Sequence, residues 1–251
     1  MAKPGLLRKL DSSTRGDRGF SLTPELIERI FSEARPLGHH EDRGHLNLGF
    51  GFLYYALART LRPRHVVVIG SGYGFSVACL ALGLRDNRKG RLSFVDPSYS
   101  VLAHGPLKTV GGASQWDDEA KVAQRFARFG VADVVRHYRM TSEAFFKAYE
   151  TLGLAGIDLA FIDGNHSYAN VRQDFLGALR RMGKNGYLAL HDTNIYIREL
   201  VRHAGVKRWL GAVKRKRELF EAIDFPFASG VALVRVLEDH AWQHLQSSLQ
   251  A

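Results

Sequence analysis

Val66-Val67-Val68-Ile69-Gly70-Ser71-Gly72-Tyr73-Gly74-Phe75-Ser76 decides the fold of this 251-residue chain. Its first four residues are a β-branched run that reads as a short buried strand. Three glycines at alternate positions then allow positive φ and let a ligand approach the backbone. Phe75–Leu84 reads as a helix, and its free N–H groups and positive dipole end suit a carboxylate or phosphate. Strand, glycine turn and helix in that order begin a parallel α/β sheet that takes ligands at the carboxyl ends of its strands.

Downstream, Leu92–Val95 is a second strand ending at Asp96-Pro97, 22 residues after Gly74. A carboxylate at that place can accept hydrogen bonds from both hydroxyls of a ribose. Residues 98–118 read as a long connection containing Gly105, Pro106, Gly111 and Gly112. Helices are expected over 118–129, 141–152 (capped by Thr141 or Ser142) and 168–181, with strands at Val134–His137, Ile157–Ile162 and Gly186–Leu190. Residues 195–220 read as largely helical and basic. Ile223–Phe225 and Gly230–Val236 are joined by Pro226–Ser229 alone, too short for a crossover helix, so they pair as an antiparallel hairpin. Upstream, Thr23 caps a helix with Pro24 in its first turn. A loop with His39, His40 and His45 follows, read as a solvated lid, and then a helix from Gly51 to Leu61. The expected division is 1–60 as leader, helix and lid loop, 61–240 as the sheet domain and 241–251 as a tail.

The composition narrows the function classes. Hydrophobic residues make up 45% of the chain, enough for a core, and no run approaches the roughly 18 apolar residues of a membrane helix. The basic N-terminus lacks the apolar stretch of a secretory signal. One cysteine, Cys79, permits no internal disulfide, so a cytoplasmic setting is expected. The net charge of +10 favours an anionic partner. Arg198, Arg202, Lys207, Arg208, Lys214, Arg215, Lys216 and Arg217 concentrate that charge, against Glu199 alone. They suit an anionic substrate, a partner or a membrane surface, or a solvated helix face. Nucleic acid is disfavoured because base stacking needs exposed aromatics. Trp209 is the one aromatic there and reads as core.

Two further strand ends carry acids, Asp163-Gly164-Asn165-His166 and His191-Asp192-Thr193-Asn194. Adjacent carboxylates make a hard-oxygen site for Mg²⁺ or a similar ion. Such an ion would lower the pKa of a bound hydroxyl. His166, three residues beyond Asp163, is placed to act as general base on it. Ordinary turn, cap and structural-histidine roles compete at each of these positions.

Taken with Phe94-Val95-Asp96-Pro97, Phe161-Ile162-Asp163-Gly164-Asn165-His166-Ser167-Tyr168 and Leu190-His191-Asp192-Thr193-Asn194, the opening stretch resembles the class I S-adenosylmethionine-dependent methyltransferases. The likeness is to the group with the cephalosporin-biosynthesis methyltransferase-like proteins and macrolide-sugar O-methyltransferases, and more distantly to catechol O-methyltransferases. It covers roughly residues 45–236. It implies a Rossmann-like seven-stranded sheet of order 3-2-1-4-5-7-6 with strand 7 antiparallel, helices on both faces and an N-terminal helical cap. It implies S-adenosylmethionine held by Gly70, Ser71, Gly72, Tyr73, Gly74, Ser76, Asp96, Ser142 and Asp163, with Ser142 beside the adenine. Asp163 and Asp192 would bind the metal, Mg²⁺ for preference, and His166 would be the catalytic base. The family commonly has an acid two positions before the first glycine of the turn. This chain has Val68, and no third metal ligand stands out.

The expected activity is therefore O-methylation of a small hydroxylated metabolite, a sugar or a phenolic, by a chain that could be a homo-oligomer. An NAD-binding oxidoreductase and a non-catalytic protein of the same fold are the alternatives. The Gly70-x-Gly72-x-Gly74 spacing and the terminal hairpin argue against the first. Val68 is the feature that favours the second.

Overall fold

The opening strand β1 (His65–Ile69) is buried at all five positions. A parallel strand in mid-sheet is covered on both faces, which is why its sequence does not alternate. In the computed structural model, which describes residues 19–98, 102–104, 107–109, 114–194 and 205–250, β1 is the third strand of seven. The others in the sheet are β2 (Arg91–Val95), β5 (Val135–Tyr138), β6 (Leu159–Ile162), β7 (Tyr187–His191), β8 (Phe220–Phe225) and β9 (Val231–Val236). The order is β5-β2-β1-β6-β7-β9-β8. β9 runs antiparallel to β7 and β8, and every other pair is parallel. Counted along the chain, these seven strands lie in the order 3-2-1-4-5-7-6, as expected of a Rossmann-like methyltransferase sheet.

Successive residues of β1 feed two cores because side chains alternate across a strand. Val66 and Val68 join the helices α1 (Pro24–Glu33), α2 (Phe50–Leu61), α3 (Phe75–Asn87) and α4 (Glu119–Arg128). Val67 and Ile69 join α5 (Ser142–Ala148), α6 (Tyr168–Leu179), α7 (Val206–Lys214) and α8 (Ala241–Gln250). The helix starts follow local chemistry, since Thr23, Asp118, Thr141 and Ser167 each accept backbone N–H bonds from the first turn they cap. Thr141, not Ser142, is thus the cap of α5.

Register places the site. Ile69 is level with Val95 and with Ile162, and Ile162 is level with Leu190. The next residues, Gly70, Asp96, Asp163 and His191, therefore stand in one row along the carboxyl edge.

Three expectations need correction. The long connection after Asp96 contains a two-stranded ribbon, β3 (Leu102–His104) with β4 (Leu107–Thr109); short strands interrupted by Gly and Pro leave no periodic signal. Helix α5 stops at Ala148, and Leu152 lies in the turns that follow. The basic stretch is helical over Val206–Lys214, while β8 begins at Phe220, three residues before the expected strand. Arg198 and Arg202 lie outside the described residues. The C-terminal tail is the helix α8, which buries Ala241 and Leu245 in the second core.

Candidate active site

The glycine turn is rigid on one side and open on the other. Gly70 has φ +67°, and a Cβ there would lie 2.5 Å from the Asp163 carbonyl oxygen. Only glycine lets the β1 exit pack directly on the β6 exit. Gly72, at φ +48°, has nothing within 4 Å of the place a Cβ would take, so its outer face is free to meet a ligand. The turn's carbonyls are tied from behind. Trp116 Nε1 donates to Gly72 O at 3.0 Å, Arg125 donates to Tyr73 O at 3.3 Å, and Gly74 N–H donates to Ser71 O at 2.6 Å. Ser71 and Ser76 hydroxyls lie 2.6 Å apart and lock the turn to the first turn of α3.

Asp96 follows β2 beside this turn and is buried. Its carboxylate accepts the Ser98 N–H at 2.7 Å and a backbone bond from Ser71. Burial nevertheless pushes its pKa up to about 6, and the charge of Asp163 adds to the rise. Two backbone donors do not offset the cost of burying this carboxylate.

Beyond Gly70 lies a cluster of acids and imidazoles. His166 Nδ1 is 3.0 Å from Asp192 Oδ2, and its Nε2 is 3.5 Å from Asp163 Oδ1. His191 Nδ1 is 3.0 Å from Asp163 Oδ1 and 3.5 Å from Asp192 Oδ1. Asp192 takes a left-handed φ of +61°, a conformation asparagine and aspartate adopt more readily than most residues, and this turns the chain sharply after β7. Burial would lower the pKa of His166, but its bonds to both carboxylates outweigh burial and raise it to about 9. Burial opposes Asp163 as well, yet the charge of His191 and its bonds to the two histidines hold it far below the usual carboxylate range.

Sequence reading missed two members of this cluster. His39 is not solvated. Its ring is buried, stacks on His191 at 4.2 Å and stands 3.0 Å (Nδ1) from the Tyr54 hydroxyl. Burial and the charge of His191 lower its pKa to about 3, so it is a neutral imidazole. His45, by contrast, is exposed and paired with Asp42. His191, beside Asp192 at the end of β7, is the second. Its Nε2 is buried without a hydrogen-bond partner. Asp163, His166 and Asp192 form one group whose ligand atoms all lie within 4.8 Å of one another, and His39, Asp163 and His191 form another.

Ser142 opens α5 and has a partner within the protein. Its side chain hydrogen-bonds Asp174, a buried acid on α6 whose Oδ1 has no partner and whose pKa burial drives up to about 7. Asp174 also lies under the Asp163-Gly164 turn, with Oδ2 3.6 Å from the place of a Cβ on Gly164. Val68 is wholly buried in the first core, so the position of the family's acid is apolar here.

The family model for a methyltransferase domain matches residues 67–193, half of the chain, from β1 through the Asp192 turn. The chain belongs to this methyltransferase family. Solved structures share the fold. The O-methyltransferase TomG of Streptomyces achromogenes, involved in tomaymycin synthesis and solved with S-adenosylmethionine, is 18% identical, covering 90% of this chain and 93% of its own, with TM-score 0.60. An O-methyltransferase of Bacillus cereus, solved with S-adenosylhomocysteine, is 16% identical, covering 85% and 90%, with TM-score 0.60. A curated relative, the uncharacterised protein y4gI of Sinorhizobium fredii, is 23% identical over 183 residues, 71% of this chain. The match spans only 18% of that relative's length. No helix among the described residues is long and apolar enough to cross a membrane.

Proposed function

We propose that this methyltransferase moves the methyl group of S-adenosylmethionine to a hydroxyl of a small metabolite. One observation carries the reading: the open glycine turn, Asp96 and the Asp163–His166–Asp192 cluster stand in one row at the carboxyl edge. On this reading Gly70–Gly74 and Ser76 hold the methionine part of the cofactor and Asp96 its ribose hydroxyls. Asp163 faces the cofactor and the acceptor together, and Ser142 borders the adenine while bonded to Asp174. Residues 61–240 form the transferase domain, with 1–60 as its cap. The charge of +10 supports an anionic acceptor, and a single buried cysteine suits a cytoplasmic setting. O-methyltransferases among the structures of the same fold support a hydroxyl acceptor, proposed here as a sugar or phenolic.

In the transfer, a lone pair of the acceptor oxygen attacks the methyl carbon. The carbon–sulfur bond breaks, its electron pair stays on sulfur, and the hydroxyl proton passes to a base. His166 is that base by position. Two carboxylates hold it protonated at neutral pH, so it must lose a proton before it can accept one. The donor set fits a divalent cation, with Asp163 and Asp192 as oxygen ligands and His191 Nδ1, 3.0 and 3.5 Å from their Oδ1 atoms, as the nitrogen within reach. Bound there, a cation would polarise the acceptor hydroxyl and take up the carboxylate charge that holds the His166 proton.

The test is transfer of labelled methyl from S-adenosylmethionine to a panel of catechols and free sugars, with and without EDTA. Label in any hydroxyl acceptor, lost in His166→Ala, supports the reading. Full activity after EDTA removes the metal from it. No transfer to any hydroxyl, with transfer to an amine or carbon acceptor instead, overturns it.

A further inference from the structure

The amino edge of the same sheet carries a second cleft, at the opposite end from Asp96 and Asp163. Its volume is about 400 Å³, and its walls are Arg64, Arg85, Arg88, Lys89 and Arg91 with Asp133 as the one carboxylate. Arg64 precedes β1, Arg91 opens β2 and Asp133 precedes β5, so topology brings them together.

The charge there is poorly compensated from within. Arg88 and Lys89 are exposed and have no ion-pair partner among the described residues. Arg91 binds the Asp133 carbonyl rather than its carboxylate. Arg64 is 3.6 Å from Asp158, and Arg85 is held by Asp86 and by Phe129 O. The cations are not needed to cap α3 either. Its last carbonyls already accept backbone N–H bonds, Lys89 N to Leu84 O at 3.3 Å and Arg88 N to Arg85 O at 3.0 Å. Arg88, Lys89 and Arg91 pair with no carboxylate among the described residues, and they repel each other around one small space. That arrangement favours a ligand with several negative charges packed as closely as the cations are. Phosphates meet this need, and guanidinium groups bind them with two parallel bonds. The volume falls in the range of small-molecule sites, roughly 300–1,000 Å³.

We propose that this cleft binds the linked phosphates of a small molecule, a pyrophosphate or nucleoside polyphosphate, independently of the methyl-transfer site. The probes are inorganic pyrophosphate and ATP, titrated calorimetrically into the intact protein at low ionic strength. The cleft variant is Arg88→Glu with Lys89→Glu. Arg215→Glu with Arg217→Glu, exposed and distant in sequence, changes the net charge equally. Pyrophosphate should bind the wild type and the Arg215/Arg217 variant alike, and the cleft variant about tenfold or more weakly. S-adenosylhomocysteine should bind all three equally, which also shows that the cleft variant is folded. Absent binding to the wild type, or equal loss in both double variants, overturns the proposal. So does co-sedimentation with phosphatidylglycerol vesicles in the absence of pyrophosphate and ATP binding, which would make the surface a lipid contact.

Discussion

The two halves of the crevice handle polarity in opposite ways. On the glycine side the backbone is tied by Trp116 and Arg125, Gly72 faces open space, and burial raises the pKa of Asp96 despite its two backbone donors. On the acid–histidine side, His166 and His191 already neutralise Asp163 and Asp192. On the proposed reading the first half is completed by the cofactor. The second is neutralised from within, apart from the unpartnered His191 Nε2, and on the proposed mechanism His166 must lose its proton before it acts. Binding and transfer should therefore fail separately.

His166→Ala tests that separation with the largest expected effect. Transfer should fall by about 10²–10⁴-fold, the usual worth of a positioned acid–base group. Calorimetry should find its S-adenosylhomocysteine affinity within a factor of a few of wild type. Equal losses in both would merge the halves.

Asp96→Ala should do the reverse. Losing hydrogen bonds to a charged acceptor costs about 1.5–3 kcal/mol, or roughly 10–150-fold in cofactor affinity. Thermal stability without ligand should hold or rise, because a buried acid whose ionisation burial opposes is removed. A large fall in melting temperature would show that Asp96 is structural.

Asp174→Asn probes the seam between the halves through pH. The folded-state pKa of Asp174 is raised from 3.8 to about 7. As pH climbs from about 4, the unfolded chain loses this proton while the folded chain keeps it, so wild-type stability falls until about pH 7 and then levels. Asparagine lacks the titration and can still bond Ser142. The variant should match wild type near pH 4 and melt at a higher temperature at pH 8. Equal melting temperatures at both pH values would mean that Asp174 is not held neutral.

The smallest effect belongs to Gly72→Ala. Placing a Cβ at positive φ costs roughly 1–2 kcal/mol of stability, and no clash adds to it because the space is open. Gly70→Ala, which meets the Asp163 carbonyl, should melt at a clearly lower temperature than Gly72→Ala. The reverse ranking in thermal melts would contradict the assignment of one glycine to packing and the other to the ligand.

Most of the sheet was legible because its signals are local. A β-branched run, a glycine turn and acids at strand ends are all readable within a few residues, and the short link 226–229 forces the hairpin. The site was legible for the same reason wherever a residue follows a strand directly, as with Asp96, Asp163 and Asp192. What escaped depends on distance along the chain. His39 reaches the crevice only because its loop folds back onto β7, and a histidine among glycines looks solvated. Trp116 and Asp174 act on turns 44 and 10 residues away, at Gly72 and Gly164. No spacing rule connects such pairs before the sheet brings them together.

The central claim is that the glycine side of the crevice holds S-adenosylmethionine. Calorimetric titration of the wild-type protein with S-adenosylhomocysteine and, separately, with NAD tests it most directly. The account predicts saturable one-to-one binding of S-adenosylhomocysteine, abolished or strongly weakened by Asp96→Ala, and no binding of NAD. Binding of NAD without binding of S-adenosylhomocysteine would contradict it.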